Sequence, residues 1–217
     1  MRIRNNVCLT PAVCTLVEAS FAALLPTMST DAKTSMPVAG MNPMSVLMIG
    51  GFQAIYTGLM FALLKYVNPE PMLKFLPFKL ETTMCFLVLA AGLVQGMMAS
   101  YTNWARVEYN NPWPHTFCLE KNKDKLKFDM VQRAHLNFVE NYTQFLAVAF
   151  FAAKMAPKLA AVFGFIFLLG RVVFAQGYYS GIAEKKDNGA FGYMLGIFPL
   201  YGLAWLYLVT ELKLLAL

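Results

Sequence analysis

The sequence predicts an all-α integral membrane fold: a four-helix transmembrane bundle with one extra N-terminal hydrophobic helix. Three observations carry that prediction. Hydrophobic residues make up 58% of the 217-residue chain. Charged residues make up only 14%, against about 25% in a typical soluble domain. Five stretches are long and apolar enough to cross about 30 Å of hydrocarbon as helices, which takes about 20 residues. Only helices and closed barrels satisfy their backbone groups in lipid. The stretches lack the period-2 alternation of strands, so they read as helices. This composition excludes a disordered chain, a coiled coil and an ordinary soluble globule.

In chain order, residues 1–40 form a tail. Arg2 and Arg4 precede a mildly apolar stretch that Pro11 and Glu18 interrupt. It reads either as a cleaved targeting segment or as a flexible tail. Residues 41–79 hold the extra hydrophobic helix, Met44–Val67, and a loop broken by Pro69, Pro71 and Pro77. Residues 80–217 hold the four remaining spans: Thr82–Trp104, Val131–Ala153, Lys158–Ser180 and Ala190–Thr210. Between them lie a polar loop, Ala105–Met130, a turn at Pro157 and the short Gly181–Gly189 connection.

The net charge of +6 is read against a membrane, not a nucleic acid, and no nucleic-acid partner is expected. Ten of the 18 Lys and Arg residues fall on one side of this topology, among them Arg106, the run Lys121, Lys123, Lys125 and Lys127, and the pair Lys185 and Lys186. Six fall on the other, and Arg133 and Arg171 lie within helices. The excess places the long loop and the Gly181–Gly189 loop in the cytosol. The four cysteines, Cys8, Cys14, Cys85 and Cys118, form no CxxC pair and lie at no zinc spacing from a histidine, so they read as packing residues or free thiols and no metal site is expected.

One span breaks the apolar rule. In FDMVQRAHLNFVENYTQFLAVAFFAAKM, residues Arg133, Asn137, Glu140 and Gln144 fall at i, i+4, i+7 and i+11, one face of a helix. An ionisable group in a spanning helix costs roughly 2.5–3.5 kcal/mol and is by default a functional candidate. Such groups face another helix or a wet cavity. The next helix carries GRVVFAQGYYSG, in which Arg171 and Tyr178 share a face. At the helical rise, Glu140 lies about 10 Å inside Arg133 and Arg171 about 14 Å inside Ser180. Antiparallel neighbours would therefore bring Glu140 and Arg171 to one depth as an ion pair, with Arg133 as surplus positive charge at the mouth. The expected recess, with His135 beside these residues, suits a small anion that carries carboxylates and an amine. Arginine forks onto carboxylate, Glu140 takes an ammonium, and Asn137 and Tyr178 orient. The alternative is that these groups only join helices. Asn141-Tyr142-Thr143 is a glycosylation sequon, but it lies inside a span, where no glycan is expected.

RAHLNFVEN followed by GRVVFAQGYYSG, with ARVEYNNPWP upstream, resembles the MAPEG family, the membrane-associated proteins of eicosanoid and glutathione metabolism, and most of all its type-three microsomal glutathione S-transferases. The resemblance covers about Leu80–Leu217. It implies a homotrimer of four-helix subunits in the endoplasmic reticulum or another organelle membrane such as the mitochondrial one, with glutathione between subunits near the cytosolic face. It assigns glutathione contacts to Arg133, His135, Asn137, Glu140, Arg171 and Tyr178, and the thiolate-stabilising cation to Lys185, with Lys186 beside it. Three positions depart from the family pattern. Phe174 and Asn141 stand where tyrosines are common, and an arginine expected near the end of the first core helix is matched by Thr102 or Asn103. The implied reaction is attack of the glutathione thiolate on a lipophilic electrophile or a lipid hydroperoxide delivered from the membrane lipid. A nearby cation lowers the thiol pKa from about 8.5. Two other readings compete: a non-enzymatic lipid-binding scaffold of the same fold, and a small transporter, against which the lack of an internal repeat argues.

Overall fold

The computed structural model describes residues 43–69, 71–118 and 123–214. The tail 1–40, with Cys8 and Cys14, lies outside them. Five α-helices account for most of what is described: α1 (Pro43–Ala62), α2 (Leu80–Glu108), α3 (Lys123–Met155), α4 (Pro157–Tyr179) and α5 (Asp187–Glu211). A π turn (Leu63–Val67) extends α1, and a 3₁₀ turn (Ala183–Lys186) precedes α5. No strand occurs among the described residues. Each of the five expected stretches is helical, with ends displaced by a few residues. The largest displacement is at the start of α3, which begins eight residues before Val131, inside the expected loop.

The breaks follow local chemistry. α2 opens after Pro77, where the Lys79 N–H donates to Thr82 Oγ1 at 2.7 Å and so satisfies one of the donors a helix start leaves bare. It ends before Asn110, whose φ of 48° is left-handed. α3 and α4 meet at an elbow where Pro157 occupies the first turn of α4, a position whose N–H needs no partner. Gly181, at φ +76°, ends α4. Its N–H bonds to the Tyr178 carbonyl at 3.0 Å, a C-terminal stop that glycine tolerates best.

The chain divides into two compact units, of which the larger is Gln53–Tyr207. The other described residues, 43–52 and 208–214, are the outer turns of α1 and α5 and the residues after α5. Within the unit, α2, α3 and α4 pack on one another pairwise. α4 is central: 56% of its most apolar stretch is buried, against 22% for α2. Phe145 of α3 stacks on Phe167 of α4 at 4.4 Å, and buried Leu87, Phe138, Leu200 and Leu203 are among the other core residues. α4 and α5 approach to backbone contact. A Cβ on Gly170 would lie 2.1 Å from the Tyr193 nitrogen, and one on Gly189 would lie 2.0 Å from the Phe174 nitrogen. Small residues allow this closeness in lipid, where helices associate by packing and not by expelling water. Residue Tyr56 of α1 stacks on Phe198 at 5.4 Å.

Three described helical segments are long and apolar enough to cross a membrane: Leu80–Glu108, Pro157–Tyr179 and Glu184–Glu211. α3, although 33 residues long, is not among them, and its polar stripe is the reason. The outward faces carry Leu89, Leu93, Met97, Leu169, Val173 and Trp205 in the open, the pattern of a lipid-facing surface.

Candidate functional site

α3 presents the stripe that the periodicity predicts. Arg133 Nη1 pairs with Glu140 Oε1 at 3.1 Å, and their side chains are 48% and 53% exposed. This corrects the expected Glu140–Arg171 pair. Arg133 is not surplus charge at the mouth; it is the partner of Glu140. The seven-residue spacing that puts both groups on one face also lets two long side chains meet, so Glu140 finds its cation on its own helix.

Arg171 has a different environment. It is 2% exposed, and its Nη2 donates to Asn137 Oδ1 at 2.7 Å. Its guanidinium carbon lies 5.0 Å from the ring centroids of Phe174 and Tyr193, 5.7 Å from Phe138 and 5.9 Å from Phe167. Ring faces are negative and attract a cation, more so when it is desolvated. Phe174, where the resemblance expects tyrosine, is thus a wall of this enclosure. It also contacts Tyr178 edge-on at 5.3 Å. Among the described residues, Arg171 hydrogen-bonds to the polar face of α3 through Asn137, and the Glu140 carboxylate favours its charge from farther off.

The remaining predicted residues are placed as follows. His135 is half-buried, and its Nε2 has no partner among the described residues. Gln144 donates its amide to the Tyr201 hydroxyl, tying α3 to α5. Tyr178 is half-buried, with Lys186 Nζ 5.8 Å from its ring centroid. Lys185 is exposed. The 3₁₀ turn that bears both lysines is pressed onto α4 at Gly177, where a Cβ would lie 2.5 Å from the Lys186 nitrogen and 2.6 Å from the Lys185 carbonyl carbon. A glycine there lets the turn lie beside Tyr178. Asn141 of the sequon donates to the Asn137 carbonyl at 2.7 Å.

Arg106, outside the expected set of site residues, is a second buried arginine with a built environment. An arginine expected near the end of the first core helix is absent at Thr102 and Asn103, but Arg106 stands one turn after Thr102, in the last turn of α2. It is 7% exposed. Its Nη1 donates to the His115 carbonyl at 2.7 Å, and its guanidinium lies 3.8 Å from the Trp113 ring centroid. With Asn103, Asn110, Asn111 and Trp113 it lines a cavity of about 440 Å³. The available signal was a cation in a helix's final turn, which the helix dipole favours, followed at once by the Pro-flanked aromatic of ARVEYNNPWP.

Beside the site, Cys118 N–H donates to Asp129 Oδ1 at 2.9 Å. Burial, with the Asp129 carboxylate, pushes this thiol up from its ordinary range. The described residues contain no group of three or more potential metal ligands.

A curated relative is the "Uncharacterized protein sll1147" of Synechocystis sp., 40% identical over 63 residues, or 29% of this chain. The match spans 45% of that protein, so the chain aligns with under half of its length. The MAPEG family model matches residues 82–209. That is more than half of the 217-residue chain, and it takes in α2 from its third residue, all of α3 and α4, and all but the last two residues of α5. The chain therefore belongs to the MAPEG family, as an integral membrane protein of the glutathione-related or eicosanoid-metabolism class.

Proposed function

We propose that the protein is a membrane-bound glutathione S-transferase with peroxidase capacity, assembled as a homotrimer in the endoplasmic reticulum membrane. One observation carries the reading. Arg133 and Glu140 form an ion pair about half exposed on the outside of a single chain, on the helix between two strongly apolar ones. Charges at that depth do not face acyl chains without a cost of several kcal/mol. The face is therefore covered by something polar, and a tripeptide held against a neighbouring copy meets the need. Arg133 takes a carboxylate, Glu140 the ammonium, and Asn137 and Tyr178 orient the backbone, with His135 at the rim. Arg106 supplies a second buried guanidinium at the end of α2.

The chemistry proposed is thiolate attack. The cation comes from the Lys185–Lys186 turn, which lies beside Tyr178. A cation near the thiol raises the thiolate fraction at neutral pH. With an electrophile, sulfur forms a C–S bond as the leaving group departs with its electron pair. With a lipid hydroperoxide, sulfur takes the distal oxygen and the alcohol leaves. A second glutathione then reduces the sulfenic acid, giving glutathione disulfide and water.

The test is conjugation of a model aryl halide by the purified chain in detergent. Glutathione-dependent turnover that falls in Lys185→Ala, with glutathione affinity held, supports the reading. Undiminished turnover in Lys185→Ala and in Lys186→Ala removes the turn from the mechanism. Binding of glutathione without any turnover would favour the scaffold reading.

A further inference from the structure

This inference rests on the glutathione reading above and concerns how the site chooses what it binds. Arg171 is a buried cation without a direct ion pair: no carboxylate among the described residues lies within ion-pair distance of it, and Glu140, which favours its charge from farther off, is bonded to Arg133. Its Nε also lacks a partner. Its hydrogen bond is to Asn137.

A guanidinium carries five N–H donors and no acceptor. The atom of Asn137 that meets it must therefore be the side-chain oxygen, and the usual ambiguity of an amide's two ends disappears. The main-chain carbonyl of Asn137 is engaged as well, by Asn141 Nδ2 at 2.7 Å. What Asn137 has left to offer a ligand is its Nδ2 donor pair. The geometry points to Arg171 as a positioning residue: it locks the Asn137 amide so that the site presents an N–H donor, backed by a buried positive charge, to a carboxylate or carbonyl oxygen of the ligand. Arg171 does not itself touch the ligand. The aromatic enclosure lets that charge persist unpaired, because its rings attract the cation without cancelling it.

Replacing Asn137 separates this role from a structural one. Asn137→Asp sets a carboxylate against Arg171, which satisfies the buried cation, abolishes the donor and cancels the charge. The full chain in detergent is titrated with glutathione by calorimetry, with melting temperature measured in parallel. We expect Asn137→Asp to melt at or above the wild-type temperature while its glutathione affinity falls at least tenfold. Arg171→Lys, which can still donate to the Asn137 oxygen, is expected to hold affinity within a few-fold, whereas Arg171→Met loses at least tenfold. If Arg171→Met does not fold, Asn137→Asp alone decides. A wild-type chain that binds glutathione, together with an Asn137→Asp variant that binds equally well, overturns the inference and spares the glutathione reading. A wild-type chain that gives no heat with glutathione overturns that reading and, with it, this inference.

Discussion

Arg133 and Arg171 lie on neighbouring helices and are held in opposite ways. Arg133 is about half exposed and bonded to a carboxylate on its own helix. Arg171 is buried among four rings and bonded to a neutral amide. The difference separates a contact that a ligand can exchange from one that it cannot. In a watery recess between copies such a pair gains little from its Coulomb energy, so a ligand carboxylate and ammonium replace it at small cost. A desolvated cation loses far more if its surroundings open. The exposed pair is therefore suited to bind, and the buried arginine to hold the frame that aims Asn137.

The largest effect should come from opening the frame. A side chain at Gly170 or Gly189 would meet backbone at 2.1 or 2.0 Å, forcing α5 away from α4 and drawing Tyr193 off Arg171. Gly189→Leu should cost about 3 kcal/mol or more, read as a fall in the unfolding temperature in detergent. A variant as stable as wild type would mean that the close α4–α5 approach does not support the enclosure. Next comes Arg106→Gln, which removes a charged donor from the His115 carbonyl. We expect a loss of about 1.5–3 kcal/mol, the range for hydrogen bonds to charged groups, in the same unfolding experiment. Glu140→Gln should cost stability less than about 1 kcal/mol, as exposed pairs do, and yet weaken glutathione at least tenfold. A stability loss as large as that of Arg106→Gln would erase the contrast between the two kinds of arginine.

How much of this was legible beforehand depends on the kind of interaction. The helices were legible because span length is set by bilayer thickness and apolar runs report it directly. The stripe Arg133, Asn137, Glu140 was legible because side chains three or four apart share a face. The partners within the stripe were not. Depth along an axis placed Glu140 level with Arg171, but depth says nothing about which side chain turns inward. Arg171 turns into the rings of Phe138, Phe167, Phe174 and Tyr193, which come from three helices, and no spacing in one helix reveals that convergence. Arg106 was missed for a related reason: the Trp113 ring that covers it sits in a loop whose path no periodicity describes.

The smallest effect concerns the loop thiol. Burial and the Asp129 carboxylate raise the Cys118 pKa, so its thiolate fraction at pH 8 lies below that of a free cysteine, and its alkylation should accelerate later as pH rises. Asp129→Asn removes the charge, and its amide oxygen can still accept the Cys118 N–H. It should move that acceleration to lower pH, read as iodoacetamide labelling in a chain whose other three cysteines are serine. An unchanged profile would leave burial as the whole cause.

The glutathione claim is tested most directly by calorimetric titration of the full chain, wild type beside Arg133→Gln. A saturable glutathione heat in the wild type, weakened at least tenfold in Arg133→Gln at a nearly unchanged melting temperature, is the result predicted from an exposed, exchangeable pair. No heat in the wild type, or equal heats in both proteins, would contradict it.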